Sequence, residues 1–274
     1  MFTLNCKGRS LVIDTPIVMG IINATPDSFY TGSRVTGETA LEKAEQMLQE
    51  GATILDIGGQ STRPGSEKIS MEEELKRVIP VIETIQQHFP GTFISIDTYY
   101  AKVAAEAVAA GASIVNDISA GSIDEKMLST VASLRVPYIC MHMKGDPQNM
   151  QKAPVYENVT KEVLDFFIHR IEEITQAGIV DTIVDPGLGF GKTIHHNFQL
   201  LRELQAFHML GKPLLIGVSR KSTIYKTLGI TEEQALNGTT VLNTISLLNG
   251  ANILRVHDVK EAMEAITLFE AYTK

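Results

Sequence analysis

The chain has 274 residues, of which 44% are apolar, and it carries a formal net charge of -8 at pH 7. This length suits one α/β barrel of about 250 residues, and no linker-like stretch divides the sequence. The even spread of apolar residues predicts a globular chain rather than a disordered one. The acidic balance, with a pI near 5.4 and no run of lysine and arginine, argues against a nucleic-acid or anionic-membrane partner.

The N-terminal residues show no basic segment followed by a long apolar one, and no apolar stretch reaches about 18 residues. A signal peptide and a membrane span are therefore not expected, and we predict a cytoplasmic protein. The two cysteines, Cys6 and Cys140, form neither a disulfide framework nor a metal cluster, so we expect buried free thiols.

Short apolar runs of strand length recur eight times along the chain. They lie at residues 17–22, 53–58, 93–97, 113–117, 138–142, 182–185, 214–218 and 252–256. Segments with helical periodicity separate them, so strand and helix alternate. Continuous apolar strands indicate burial on both faces, and eight strand–helix units are the number that closes a (β/α)8 TIM barrel; an eight-stranded open sheet is the alternative. Residues 1–14 read as a small hairpin around Lys7 and Gly8, packed at the bottom of the barrel.

Polar residues follow the C-terminal end of each predicted strand, which is where such barrels place their functional groups. In strand order they are Asn23, then Thr62 and Arg63, Asp97, Asn116 and Asp117, His142, Asp185, Lys221, and finally Arg255 and His257. Any one of them could be an ordinary helix cap or a satisfied strand end, and for Asp117 or Asn116 alone that interpretation is preferred. Together they predict a polar ligand at one rim of the barrel, because desolvated polar groups need partners.

The mixture of groups indicates the kind of ligand. Asp97, Asn116 and Asp185 offer acceptors that suit a donor-rich ring such as an aminopyrimidine. Arg63, Arg255 and His257 offer donors that suit an oxyanion, and the i, i+2 spacing on the last strand places its two donors on the same side. The sequence thus predicts one site for a heterocycle and an anion.

Three other motifs do not carry their usual function. GLGFGKT lacks the first glycine of a P-loop, because Pro186 stands there. His195 and His196 lack the spacing of a zinc site and suit the start of a helix. Lys221 could form a Schiff base, but its neighbours favour a lysine that donates hydrogen bonds.

Eight segments, in order and at matching strand positions, resemble the bacterial dihydropteroate synthases of folate biosynthesis. They are GIINATPDSF (20–29), DIGGQSTRPG (56–65), SIDT (95–98), NDIS (116–119), MHMKGDPQNMQ (141–151), DPGLGFGK (185–192), GVSRKS (217–222) and RVHDV (255–259). The resemblance spans nearly the whole chain and implies a single pterin-binding TIM-barrel domain over residues 1–274 that usually forms a homodimer. It also implies condensation of 6-hydroxymethyl-7,8-dihydropterin diphosphate with p-aminobenzoate, releasing pyrophosphate, in an enzyme that sulfonamides inhibit.

The resemblance also assigns roles to residues of this chain. The implied pterin-binding residues are Asp97, Asn116, Ile118, Met141, Asp185, Phe190, Gly217, Lys221 and Arg255. Those implied for p-aminobenzoate are Phe29, Thr62, Arg63, Pro64 and Ser222. Asn23, Arg63, Arg255 and His257 are expected at the pyrophosphate, and Asn23 at its Mg²⁺. The residues expected to take part in catalysis are Asp97, Asp185, Lys221 and Arg255.

This chain departs from the commonest family pattern in two loops. Thr31 stands where an acidic residue is usual, and Gln60 where glutamate is frequent. Two rival functions stay open: a methyltransferase of the same superfamily that passes a methyl group from methyltetrahydrofolate to a corrinoid protein, and a non-catalytic pterin-binding protein. The anion-binding residues favour pyrophosphate chemistry over both, because neither rival needs a site for an anionic leaving group.

Overall fold

The computed structural model describes residues 1–24, 35–60, 68–145, 150 and 154–274. Strands β1 to β10 of these residues are Phe2–Cys6, Arg9–Ile13, Ile17–Asn23, Ile54–Gly58, Phe93–Asp97, Ile114–Asp117, Tyr138–Met141, Thr182–Asp185, Leu215–Ile216 and Ile253–Val256. Helices α1 to α9 are Val35–Gln49, Met71–His88, Ala101–Ala110, Met127–Leu134, Val159–Gln176, Ile194–Arg202, Ser222–Leu228, Leu236–Leu248 and Val259–Thr273. A 3-10 helix covers Leu204–Leu210.

Strands β3 to β10 form one parallel sheet in the order β8-β7-β6-β5-β4-β3-β10-β9. The two end strands of this order also meet, because Val184 forms a parallel bridge with Leu214 and its N–H donates to Pro213 O at 3.0 Å. The sheet therefore closes on itself. The predicted (β/α)8 barrel is confirmed, and the open-sheet alternative is wrong.

The predicted N-terminal hairpin is present as β1 and β2, paired antiparallel from Phe2 with Ile13 to Cys6 with Arg9. Lys7 (φ 53°) and Gly8 (φ 82°) make the turn with left-handed backbone, a conformation that matches the twist of a two-residue hairpin. One face of the hairpin is buried, and it packs against the lower end of the barrel as predicted.

The floor of the barrel is an apolar layer in which hairpin residues meet the first inward-facing residues of the barrel strands. The members of this layer are Leu4, Cys6, Leu11, Ile13, Met19, Ile54, Ile114, Ile139, Ile183, Leu215 and Ile253. Because strand side chains alternate, the residue two positions further along each strand also faces the interior, nearer the C-terminal rim. That second layer is polar in several strands and contains most of the predicted site.

Helices cover the outside of the barrel, and their apolar faces join the outward-facing strand residues in a second, larger core. Within the described part of the chain, no helix combines the length and the apolar character needed to cross a membrane. Cys6 and Cys140 are buried and unpaired, as predicted.

Candidate active site

Arg255 holds two carboxylates together in the upper barrel. Its Nε lies 2.6 Å from Asp56 Oδ2, and its Nη2 lies 2.6 Å from Asp97 Oδ2. Asn116 Nδ2 also donates to Asp56 Oδ2, at 3.1 Å. These residues come from four strands, β4, β5, β6 and β10, so the closed barrel is what brings them together.

The carboxylates of the Arg255 cluster are shielded from solvent, since Asp56 is fully buried and Asp97 is 9% exposed. Burial raises the pKa of Asp97 to about 7, although the guanidinium beside it favours the ionised form. The two carboxylates in turn hold the pKa of Arg255 above its usual range despite the burial. Arg255 therefore stays charged, while Asp97 is poised to change its protonation near neutral pH.

Asp185 at the end of β8 and Lys221 after β9 carry opposite charges that interact with each other. Asp185 Oδ1 accepts the Gly187 N–H at 2.8 Å, and burial raises the pKa of this carboxyl while Lys221 opposes the shift. Burial lowers the pKa of Lys221 to about 8, against the opposing effect of Asp185. Lys221 Nζ donates to Leu188 O at 2.6 Å, which fits the predicted hydrogen-bonding lysine.

An apolar cluster lines the space beside these polar groups. Its members are Tyr99, Ile118 and Met141, with Tyr100, Met143 and Phe190 packed against them. The Lys221 ammonium lies 4.8 Å from the centre of the Phe190 ring. The predicted wall residues Ile118, Met141 and Phe190 thus fall into one cluster, next to the charges that would bind a ring edge.

Gly217 lies at the junction of the two charged groups. A side chain there would reach Lys221 Nζ and the backbone and Cβ of Arg255 within 4 Å. Gly217 therefore lies between these two residues, and its predicted place in the pterin wall stays a prediction.

Two of the predicted anion-binding residues, Asn23 and His257, lie at or just after the C-terminal ends of β3 and β10. His257 Nδ1 is 3.1 Å from Ser219 Oγ, and burial lowers the pKa of the imidazole to about 4, with Arg255 adding to the shift. A neutral His257 can donate one N–H to an anion. Asn23 ends β3 and is half-buried, and Ser222 begins α7 beside the same rim.

Five positions of interest lie outside the described residues. They are Phe29, Thr31, Thr62, Arg63 and Pro64. Their roles toward p-aminobenzoate and pyrophosphate stay predictions. The second unusual residue, Gln60, is described, and its Nε2 donates to the Tyr99 hydroxyl at 2.5 Å.

Asp117 and His196, which the sequence analysis did not assign to the site, have structural roles. Asp117 accepts hydrogen bonds from Ser119 N, Ser119 Oγ, Gly121 N and Tyr138 OH at 2.7 to 2.8 Å. His196 closes a capping box with Thr193 at the start of α6. No group of three or more His, Cys, Asp or Glu in the described ranges could hold a metal ion.

Sequence reasoning missed Asp56 and Tyr99. Asp56 sits in the middle of β4, and only its spacing of two residues from the inward-facing Ile54 would have revealed that it faces the interior. Tyr99 follows β5 by two residues, within a Tyr-Tyr pair that has no polar strand-end signature.

Comparisons with known proteins agree with this geometry. A family model described as "Pterin binding enzyme" matches residues 19–257. The dihydropteroate synthase of Escherichia coli K12 is 45% identical over 271 residues, which cover 98% of this chain and 95% of that protein.

Solved structures give the same relationship. A Yersinia pestis dihydropteroate synthase in complex with a sulfonamide drug superimposes with a TM-score of 0.94 at 42% identity, covering 99% of each chain. A Xanthomonas albilineans dihydropteroate synthase with 4-aminobenzoic acid gives a TM-score of 0.93 at 42% identity, over 99% of this chain and 98% of that one. On sequence, fold and the inward-facing charges of its barrel, this chain belongs to the dihydropteroate synthases of the pterin-binding enzyme family.

Proposed function

We propose that this chain condenses 6-hydroxymethyl-7,8-dihydropterin diphosphate with p-aminobenzoate, yielding 7,8-dihydropteroate and pyrophosphate. The observation that carries the proposal is the buried set of Asp97, Asn116 and Asp185 beside one apolar wall. A flat heterocycle with several N–H groups would satisfy these acceptors and cover the wall. The similar structures in complex with a sulfonamide drug and with 4-aminobenzoic acid support p-aminobenzoate as the second substrate.

The pterin edge would bind to the two carboxylates, with Lys221 donating to a ring acceptor. The Asn116 amino group already points to Asp56, so its amide oxygen is left to accept from the ring. Ile118, Met141 and Phe190 would pack against the ring faces. Arg255 would act mainly by holding Asp97 and Asp56 in place, and its side chain, 20% exposed, still reaches the ligand space.

The chemical step follows from the placement of these charges. The C–O bond between the pterin methylene and the diphosphate breaks, and the positive charge that results is spread over the ring. Buried carboxylates at Asp97 and Asp185 stabilise that charge, and the amine of p-aminobenzoate then attacks the methylene and loses a proton. The substitution is dissociative and requires no nucleophile from the protein.

The leaving pyrophosphate would be bound by Arg63 and His257, with Arg255 contributing its charge from below. Asn23 would offer its amide oxygen to a Mg²⁺ ion, and the pyrophosphate and water would supply the other ligands, because the described residues contain no cluster of His, Cys, Asp or Glu that could hold the ion alone. When bound, Mg²⁺ neutralises charge that grows on the leaving group.

One assay tests the proposed function. The protein is mixed with the pterin diphosphate, p-aminobenzoate and Mg²⁺, and pyrophosphate release is followed. We expect release only with both substrates, loss of release with a chelator and its return with Mg²⁺, and competition by a sulfonamide against p-aminobenzoate.

Asp185→Asn provides the matched variant for this assay. It keeps the shape of the side chain and the acceptor for Gly187 N–H but removes the charge, so turnover should fall strongly while the fold persists. No pyrophosphate release by the wild type would refute the synthase. Binding of the pterin without release would favour a pterin-binding protein, and methyl transfer from methyltetrahydrofolate would favour the methyltransferase.

We also propose that the protein is a cytoplasmic homodimer. Helix α8 presents Val241, Ile245 and Leu248 on one exposed stripe, and a second copy of the chain could cover them. Sedimentation of the wild type should give twice the mass of the chain; a monomer at micromolar concentration would refute the dimer.

A further inference from the structure

Lys192 is a buried lysine that the proposed reaction does not use. It is 2% exposed, and its Nζ lies within hydrogen-bond distance of four acceptors. These are His142 Nδ1 at 2.9 Å, Gly187 O and Phe190 O at 3.0 Å, and His142 O at 3.3 Å. Burying a lysine this completely costs free energy unless hydrogen-bond partners compensate for the lost water. The four acceptors therefore indicate the role of Lys192.

All four acceptors belong either to the end of β7 or to residues 186–193, which we call the β8–α6 loop. His142 lies just after β7, and burial together with Lys192 lowers the pKa of its imidazole to about 2, so Nδ1 is free to accept. Gly187 has a φ of +66°, and a Cβ at this position would overlap the carbonyl oxygen of His142. The loop is therefore seated directly on the end of β7, and Lys192 fastens the two together.

Asn197 fastens the same loop from the other side. Its Oδ1 accepts the Gly189 N–H at 2.9 Å, and its Nδ2 donates to Thr223 Oγ1 at 2.9 Å. Asn197 is 2% exposed and lies on α6, and Thr223 lies on α7. Two buried side chains thus fix the loop between β7, α6 and α7.

The loop in turn presents three groups to the candidate site. Phe190 stacks near the Lys221 ammonium, Leu188 O accepts from Lys221 Nζ at 2.6 Å, and Gly187 N–H donates to Asp185 Oδ1 at 2.8 Å. A shift of the loop would move the ring wall, the lysine and the carboxylate together. These are groups assigned to the pterin and not to p-aminobenzoate.

We propose that Lys192 is a positioning residue for the pterin half of the site, acting through the β8–α6 loop with Asn197 as its counterpart. This inference rests on the proposed function for the identity of the ligand. Lys192 does not touch the substrate; it sets where Phe190, Lys221 and the Asp185 carboxylate stand.

The test compares Lys192→Met with Lys7→Met as a control. Lys7 also donates from a partly buried Nζ to a backbone carbonyl, that of Val108 at 2.7 Å, but at the hairpin end of the barrel. Steady-state kinetics give the KM of each substrate, calorimetry gives the Kd of the pterin diphosphate alone, and a thermal melt checks folding.

We expect Lys192→Met to raise the KM and Kd of the pterin substrate about tenfold, with the p-aminobenzoate KM changed less than about twofold. Lys7→Met should lower Tm without altering either KM. Equal changes in both KM values, or a loss of Tm without a change in pterin Kd, would overturn the proposal.

If Lys192→Met fails to fold, Asn197→Ala tests the proposal instead. We expect this variant to show the same selective loss of pterin affinity, and an unchanged pterin Kd would overturn the proposal. The calorimetric Kd separates this inference from the proposed function. Wild-type protein that binds the pterin but releases no pyrophosphate refutes only the synthase, whereas wild-type protein that does not bind the pterin refutes both.

Discussion

Arg255→Met tests the central cluster of the barrel. The substitution keeps an apolar chain of similar length but leaves Asp56 and Asp97 buried without their cation. Removing one partner of a buried ion pair typically costs about 3–5 kcal/mol, because the other charge stays behind. Asp56 Oδ1 already has no hydrogen-bond partner in the described part of the structure, so this site has little capacity to compensate. At about 2–4 °C per kcal/mol for a chain of this size, Tm should fall by roughly 6–20 °C.

A double-mutant cycle with Asp56→Asn isolates the electrostatic part of this loss. In the Arg255→Met background, Asp56→Asn removes a buried carboxylate that has lost its cation, and it should restore about 1–3 kcal/mol. Urea unfolding at pH 7.5 measures all four proteins.

Arg9→Met serves as the control, since Arg9 donates to Gly91 O and Thr92 O at 2.9 Å and forms no ion pair among the described residues. It should cost about 1 kcal/mol. A loss below about 1 kcal/mol in Arg255→Met, or strict additivity of the two changes in the cycle, would refute the view that Arg255 neutralises these carboxylates.

The pH dependence of the reaction and the role of the hairpin give two further predictions. In the proposed mechanism Asp97 accepts from the pterin as a carboxylate and Lys221 donates to it as an ammonium, so kcat/KM for the pterin substrate should fall below about pH 7 and above about pH 8, as their pKa values imply. A flat profile from pH 6 to pH 9 would contradict these protonation states. Leu11→Ala should cost about 2–5 kcal/mol of stability by opening a cavity in the barrel floor, with both KM values unchanged; altered KM values would show that the floor and the rim are coupled.

Much of the fold could be predicted because parallel strands leave a strong local signal. Each barrel strand is buried on both faces, so its sequence is a continuous apolar run, and the predicted bounds differ from the observed ones by at most two residues. The hairpin was equally visible, since Lys7 and Gly8 suit a two-residue turn and the flanking residues alternate. Closure of the barrel by the contact between Val184 and Leu214 was inferred only from the count of strands.

The candidate site was predicted less completely, because its chemistry depends on contacts between distant strands. Residues at strand ends such as Asp97 and Asp185 stood out, whereas Asp56, one layer deeper, did not. Arg255 was expected to bind an anion, but in the described structure its guanidinium is engaged by two carboxylates 158 and 199 residues away in the chain. No local pattern encodes such a pairing. Lys192 appears in the sequence only within the GLGFGKT and DPGLGFGK segments, and neither assigns it a role of its own.

In the proposed mechanism the bound ring becomes cationic, and the buried charges of the described barrel suit such a substrate. Among the described residues, strands β4, β5, β6 and β8 place four buried carboxylates in the upper part of the barrel: Asp56, Asp97, Asp117 and Asp185. The buried or half-buried cations described near them are Lys192, Lys221 and Arg255. Burial is the main cause of the raised pKa of Asp97, and the nearby carboxylates of Asp56, Asp117 and Asp185 raise it further. Such a site stabilises a transition state in which positive charge develops on the bound ring. It stabilises the neutral ground state less, so the reaction barrier falls. The Asp56→Asn protein of the cycle should therefore lose kcat more than it loses pterin affinity, because it removes the excess charge without removing a residue assigned to the pterin edge.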